Sequence, residues 1–299
     1  MLQTFDERNR DLLVSVRGVL AHRAEAAVSP FDSAVQGGDA VWEGLRLHAG
    51  RIFRLTEHLA RLRRSARALA FTEIPSDEEI TAEISRTLHA NEMTDGVHIR
   101  LTLTRGIKIT SGMDPRLNQS GPTLIVLAEH KPPVYDQSGI TLITSSVRRP
   151  APDVLDPKIH HNNLLTSILA KIEANVAGAD DAVMLDHRGF VAETNATHLF
   201  LVADGVLGTP TAVACPEGIT RAAVLELAAG SGIACELGDY SLAQFYAADE
   251  VFVTGTMGGL APVTAVDGRI IAGGSPGPVT KRLTELFAGL TARSGTLVV

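Results

Sequence analysis

Cysteine is nearly absent from this chain. Cys215 and Cys235 are the only two among 299 residues. They lack the close spacing of a metal knuckle and the number that a disulfide framework needs, so a reducing, cytoplasmic setting is expected. No apolar run approaches the ~18 residues of a membrane span. The opening "MLQTFDERNRDLLVSVRG" is too charged for a secretory signal, and no membrane partner is expected. Basic tracts are missing as well. A net charge of −7 argues against a nucleic-acid surface. The one arginine cluster, "RLRRSAR" from Arg61 to Arg67, falls on a helical pattern with Leu59, Leu62, Ala66 and Leu69 at core spacing, which predicts a solvated helix face. HExxH, GxGxxG, P-loop and GxSxG strings are absent, and with them the usual zinc, nucleotide and serine-hydrolase signatures.

What is present suits a water-soluble, two-domain protein. Hydrophobic residues make up 45% and charged residues 20%, enough for substantial cores. "AVWEGLRLHAGRIFRL" reads as a hairpin turning through Gly50. "LTEHLARLRRSARALAF" and "SDEEITAEISRTLHANE" read as helices, the second with an acidic first turn after Ser76. The paired prolines of "HKPPVYDQSG" interrupt regular structure. They divide a small N-terminal domain (1–130) from a larger C-terminal domain (139–299) through a linker at 131–138. Strands and helices mix in both parts without regular βαβ alternation, which predicts an α+β fold.

Lysine is scarce, with Lys108, Lys131, Lys158, Lys171 and Lys281 the complete set. Lys158 stands at a strand-to-helix junction in "LDPKIHHNNLLTSILAKIEA", among uncharged polar groups. Partial desolvation there would make its amine a nucleophile. The adjacent His160 and His161 would point about 100° apart on a helix, a poor arrangement for one metal, so no metal site is assigned. Asn162 and Asn163 can cap the following helix or face a ligand. Two helix or loop entrances suit an anion: "PEGITR", where Gly218, Ile219 and Thr220 open a helix, and "TGTMGG", where Gly255, Thr256 and Met257 end a strand. Glu193 and Asn195 lie between two strands, where a carboxylate can accept a bond from a ring N–H. Arg54 precedes a helix in a position suited to phosphate. A lysine, a carboxylate, an arginine and two anion cradles are together the parts that a pyridoxal phosphate enzyme needs.

Along almost its whole length the chain resembles the class IV, fold-type IV pyridoxal phosphate aminotransferases. The resemblance is densest in "KIHHNNLLTSILAKIEANVAGADDAVMLDHRGFVAETNATHLFLV" and "PEGITRAAVLEL". It implies a two-domain fold whose larger domain has a mixed, barrel-like sheet, and pyridoxal 5'-phosphate as cofactor. It implies that Lys158 is the covalent attachment point and proton shuttle, and that Glu193 holds the pyridine nitrogen protonated. Arg54, Ile219, Thr220 and Thr256 would grip the phosphate, with Gly218, Asn195 and Gly255 beside them. Thr256 and Met257 would help bind the substrate carboxylate. The implied reaction is ping-pong transfer of an amino group from an amino acid to a 2-oxo acid, in a homodimer or larger homo-oligomer whose sites are completed by a neighbouring loop.

The subtype is mixed. "VWEGLR" and Arg100 in "VHIRL" resemble branched-chain amino-acid aminotransferases, yet Gly37, His98 and Asn163 stand where those enzymes usually carry tyrosines. "GGDAVWE" and "LTLTRG" resemble D-amino-acid enzymes, whose aromatic residue falls on Trp42. Arg105, Lys108 and Arg116 are the substitutes available for their carboxylate-binding loop. A branched-chain-like L-amino-acid donor is favoured. A D-amino-acid or R-amine aminotransferase, an aminodeoxychorismate-type lyase and a catalytically silent binding protein are the alternatives.

Overall fold

A computed structural model describes residues 3–299, in two compact units. The first runs up to Pro132 and regains Ile159–Asn163 and Thr291–Val299. The second holds Pro133–Lys158 and Leu164–Leu290.

In the first unit, strands β1 (Leu13–Val16), β2 (Val19–His22), β3 (Ala40–His48), β4 (Arg51–Ile52), β5 (Val97–Thr104) and β6 (Thr123–His130) accompany helices α1 (Ser33–Gly37), α2 (Leu55–Ala68) and α3 (Asp77–Ala90). The sheet is antiparallel in the order β4-β3-β5-β6-β1-β2, with the short C-terminal strand Thr296–Leu297 on the β4 edge. The β3–β4 turn passes through Ala49 and Gly50, both with positive φ. Along β3 the period of two puts Val41, Glu43, Leu45 and Leu47 on the core side, all fully buried. Leu55, Leu59, Leu62 and Ala66 of α2 meet them, as do Ile80, Ile84 and Leu88 of α3. A reciprocal capping box between Ser76 and Glu79 starts α3.

The second unit is built from β7 (Ile140–Thr144), β8 (Asp181–Leu185), β9 (Val191–Thr194), β10 (His198–Ala203), β11 (Val206–Pro210), β12 (Cys235–Gly238), β13 (Glu250–Gly255), β14 (Gly259–Val266) and β15 (Arg269–Ile270). Its order, β12-β11-β10-β13-β14-β7-β8-β9, mixes parallel and antiparallel pairs. β9 and β10 touch although they are far apart in that order, so the sheet curls on itself. The α+β class and the curled mixed sheet agree with the expectation.

The helices here are α4 (Pro152–Leu155), α5 (Leu165–Val176), α6 (Ile219–Gly230), α7 (Leu242–Tyr246) and α8 (Pro278–Arg293). β8, β9 and most of β10 are buried on both faces, which accounts for their continuous apolar runs. One face packs Leu199, Leu201, Val251 and Val253 together. The other stacks Phe200 on Phe252 at 4.9 Å against Val224 and Ala228 of α6 and Leu283 of α8. Among the described residues no helix is long and apolar enough to cross a membrane.

One buried carboxylate ties α8 to this sheet. Glu250 accepts from Val279 N at 2.9 Å, and from Thr280 N and Thr280 Oγ1 at 2.7 Å each. Glu250→Ala would strand these donors, and the expected loss is about 1–3 kcal/mol of unfolding free energy in urea titrations. A wild-type midpoint would contradict it.

Candidate active site

Lys158 lies in a turn after α4, next to the buried Pro157. Its backbone N–H donates to Asp156 Oδ1 at 2.9 Å, and its amine stands 3.8 Å from the same oxygen. The Lys158 side chain is 43% exposed. The chain by itself therefore does not desolvate the amine, contrary to the sequence expectation, because the turn presents it outward. The asparagines do not cap α5 either. Leu164 occupies its N-cap, and no side chain bonds there. Asn162 Oδ1 instead accepts from Arg100 Nη2 at 2.7 Å, and Asn163 Nδ2 donates to Gly38 O at 3.0 Å. Gly38, in the left-handed region at φ 65°, leaves room for that amide; a Cβ there would lie 2.8 Å from Asn163 Oδ1.

Around Glu193 the second unit assembles a group of buried polar side chains. Arg149 Nη2 lies 2.5 Å from Glu193 Oε1, while His198 Nδ1 lies 3.9 Å from Oε2. Arg149 is itself held by Ser167 Oγ at 3.1 Å and by the Ala214 carbonyl at 3.3 Å. Cys215 is close by: its sulfur, a Glu193 oxygen and a His198 nitrogen lie within 4.8 Å of one another. Burial, then the Glu193 charge, pushes the Cys215 thiol up to about 12, while Arg221, Arg149 and Lys158 pull the other way. Lys158 and Glu193 thus act on one buried thiol and share a neighbourhood. The cation that serves Glu193 is Arg149, which no sequence motif singled out.

Asn195 is otherwise engaged. Its side chain accepts from Ala182 N at 2.8 Å and donates to Asp181 at 3.2 Å. Both ends of the amide brace the turn that follows β9, the strand carrying Glu193. Gly218 precedes α6, and no side chain caps that helix. A Cβ on Gly218 would meet the His198 ring at 2.3 Å, so glycine is needed for the close approach. Ile219 and Thr220 form the first turn, with Thr220 buried. Gly255 ends β13, and Thr256 and Met257 form the turn into β14. Uncapped first-turn N–H groups, a glycine turn and a carboxylate matched to a guanidinium fit a phosphorylated ring with an N–H.

The first unit holds the other expected residues. Arg54 takes a left-handed conformation, φ 50°, at the N-cap of α2. Trp42 stacks on His160 at 4.2 Å and carries the Arg100 guanidinium 3.5 Å above its ring centroid. Trp42 Nε1 donates to His161 O at 3.0 Å. Register pairs Gly44 with Arg100 and Arg46 with His98. These form a basic, half-buried sheet face. Burial, then the charges of Lys131, Arg100 and Arg46, lowers His98 to about 3, while burial lowers Arg100 to about 10. Arg46 Nη1 and His98 Nδ1 are buried without a hydrogen-bond partner among the described residues. The two nitrogens belong to cross-strand neighbours on this face. Arg46 was missed because "GLRL" reads as ordinary strand alternation.

Of the residues proposed to replace a carboxylate-binding loop, Arg105 is paired with Asp39 at 2.6 Å and bonded to the Leu69 carbonyl. Lys108 donates to Gly112 O, and the exposed Arg116 pairs with Asp114.

A family model described as Amino-transferase class IV matches residues 40–266. The "Branched-chain-amino-acid aminotransferase-like protein 2" of Arabidopsis thaliana is 56% identical over 96% of this chain and 52% of its own length. The chain thus spans about half the length of this plant relative and of a second plant relative. A "Putative branched-chain-amino-acid aminotransferase" of Methanocaldococcus jannaschii is 40% identical, covering 95% of this chain and 98% of that one. The "D-alanine aminotransferase" of Bacillus licheniformis is 31% identical over 90% of this chain and 94% of its own. Among solved structures, the T.th. branched-chain amino acid aminotransferase complexed with N-(5'-phosphopyridoxyl)-L-glutamate superposes with a TM-score of 0.87 at 34% identity, covering 94% of each chain. On the family match and these full-length similarities, the chain belongs to the class IV aminotransferases.

Proposed function

We propose that this chain is a pyridoxal phosphate-dependent aminotransferase that moves an amino group from a branched-chain-like L-amino acid to 2-oxoglutarate or another 2-oxo acid. The observation that carries this reading is the Lys158, Glu193 and Arg149 neighbourhood beside the uncapped entrance of α6. When bound, the cofactor supplies an electron sink for bond breaking at the substrate Cα. Lys158 Nζ holds the cofactor and carries the proton to and from Cα. Glu193, paired with Arg149, would accept the ring N–H. Phosphate charge is met by the first N–H groups of α6, by Thr256 and by Arg54. Arg149 and Asn195 act as supports, the one electrostatic and the other steric.

A substrate carboxylate is assigned to the Thr256 and Met257 backbone by resemblance, and Arg46, His98 and Arg100 of the first unit offer a second, basic face to an anion. The unpartnered Arg46 and His98 nitrogens support the second of these, and Trp42 and Met257 are placed beside the substrate by resemblance. Burial, then the charges of Lys131, Arg100 and Arg46, disfavours the charged form of His98, so it takes part through hydrogen bonding more than through charge. Arg46→Gln is expected to raise KM for 2-oxoglutarate about tenfold with kcat within a factor of about two, the pattern of lost uniform binding. An unchanged KM would contradict the assignment.

A second copy of this chain is the proposed partner, with α5 as its docking face. Leu165, Ile168, Leu169, Ile172 and Val176 are each at least 51% exposed. The helix's two charges turn inward: Lys171 reaches Asp181 at 3.2 Å, and Glu173 accepts from Ser145 Oγ at 2.6 Å. An apolar stripe without net charge can meet its own copy across a two-fold axis without like-charge repulsion. Light scattering is expected to give at least a dimer for wild type and a monomer for Ile168→Lys/Ile172→Lys. A monomeric wild type would overturn the assignment. The free Cys215 and Cys235 thiols support a cytoplasmic location.

Donor screening decides the subtype. L-leucine, D-alanine and an R-amine, each with 2-oxoglutarate, are expected to give turnover with L-leucine. Activity confined to D-alanine would transfer the chain to the D-amino-acid branch, which the Bacillus relative and Trp42 keep in view. Pyruvate release without an amino acceptor would mark a lyase.

A further inference from the structure

The core face of β3 contains an acid where its neighbours are aliphatic. Glu43, between Val41 and Leu45, is fully buried. Arg61 grips it with Nε to Oε1 at 2.8 Å and Nη2 to Oε2 at 2.7 Å, and His58 Nδ1 lies 2.7 Å from Oε2. Arg61 is therefore not part of the solvated face expected from "RLRRSAR"; α2 turns it, with His58 and Ser65, into the core. A third partner comes from far along the chain. His160 Nδ1 lies 3.5 Å from Glu43 Oε1 and 2.5 Å from the Trp42 carbonyl, and the His160 N–H donates to Ser65 Oγ at 3.0 Å.

The residues on either side of His160 are pinned to β3 as well. Trp42 N donates to His160 O at 3.0 Å, Asn162 N donates to Ala40 O at 2.9 Å, and Ile159 packs against the first unit's core. The segment that leaves Lys158 is thus held one residue after the amine and for the next several. A buried carboxylate is costly in an aliphatic core, and a Val–Leu lattice needs no Arg–Glu pair for packing. The polar group tilts α2, β3 and residues 159–162 toward a single geometry.

We propose that Glu43, through Arg61, His58 and His160, is a positioning residue for Lys158. It fixes the backbone that follows the lysine and so sets where the amine points. The proposal rests on the aminotransferase reading for what Lys158 does, but its structural half can be measured without cofactor.

Hydrogen exchange on cofactor-free protein, comparing wild type, Glu43→Gln and Ser65→Ala, tests it. Both variants are expected to speed exchange of the His160 and Asn162 amides about tenfold; Ser65→Ala leaves the β5 and β6 amides unchanged, whereas Glu43→Gln, which strands Arg61, raises them as well. In the loaded enzyme both should lower kcat about tenfold with KM within about twofold, as misplacement of a catalytic group does. A shift in the pH dependence of the visible absorption should accompany the loss, and Glu43→Asp should restore part of it. Wild-type exchange at 160–162 in both variants would overturn the proposal, as would a uniform rise across the sheet in Ser65→Ala, which marks a merely structural role. Ser65→Ala removes a single hydroxyl and decides the question if Glu43→Gln does not fold. Wild-type protein that takes up no pyridoxal phosphate would overturn the aminotransferase reading and, with it, the role given to Lys158. The exchange result reports separately on the anchoring.

Discussion

A carboxylate taken out of water must be met by hydrogen-bond donors or by a cation, and in each unit of this chain one buried glutamate is met by an arginine at a decisive place. In the first unit Glu43 is fully buried and matched by Arg61. In the second, Glu193 is 5% exposed and matched by Arg149. Removing one partner of such a pair costs about 3–5 kcal/mol, because a bare charge is left inside. The geometry around each pair is correspondingly narrow. Glu43 draws the polar stripe of α2 onto β3 and reaches His160. Glu193 draws in the arginine before α4, which Ser167 at the start of α5 also holds. The stretch carrying Lys158 runs between these two anchored positions in the sequence.

The β3–β5 face presents the opposite imbalance. Arg46, His98 and Arg100 crowd together, all with their proton affinity lowered chiefly by burial. Only Arg100 finds good partners, in Trp42 and Asn162. The face offers an imidazole and a guanidinium, each with a buried nitrogen that has no partner among the described residues, and in the proposed reading that excess is what an anion would meet.

Local signals were legible in the sequence and longer-range pairings were not. The Gly50 hairpin, the Ser76 start of α3 and the apolar runs of the curled sheet follow from backbone chemistry and periodicity. Lys158 stands out because lysine is scarce and the α6 entrance because it opens a helix, whereas Glu193 was picked out by the small residues around it and by the family resemblance. Arg61 misled because periodicity assigns a face without saying what lies across it, and Glu43 is not visible as its partner from the arginine run. The side-chain partners of Asn163 and Asn195 were hidden for a related reason. An amide near a helix start or a turn has several local uses, and here the partners are the Gly38 carbonyl, far away in sequence, and the β8 backbone. Arg46 and Arg149 were missed because a strand arginine and a loop arginine carry no local mark. The return of Ile159–Asn163 to the first unit depends on bonds to β3 that no sequence pattern announces.

The central claim is that Lys158 is the nucleophile and the attachment point for pyridoxal phosphate. Incubation with pyridoxal phosphate, reduction with borohydride, proteolysis and mass mapping tests it most directly. The account predicts one phosphopyridoxyl mass per chain, on the peptide containing Lys158, with Lys108, Lys131, Lys171 and Lys281 unmodified. No adduct, or an adduct placed on one of those four lysines, would contradict it.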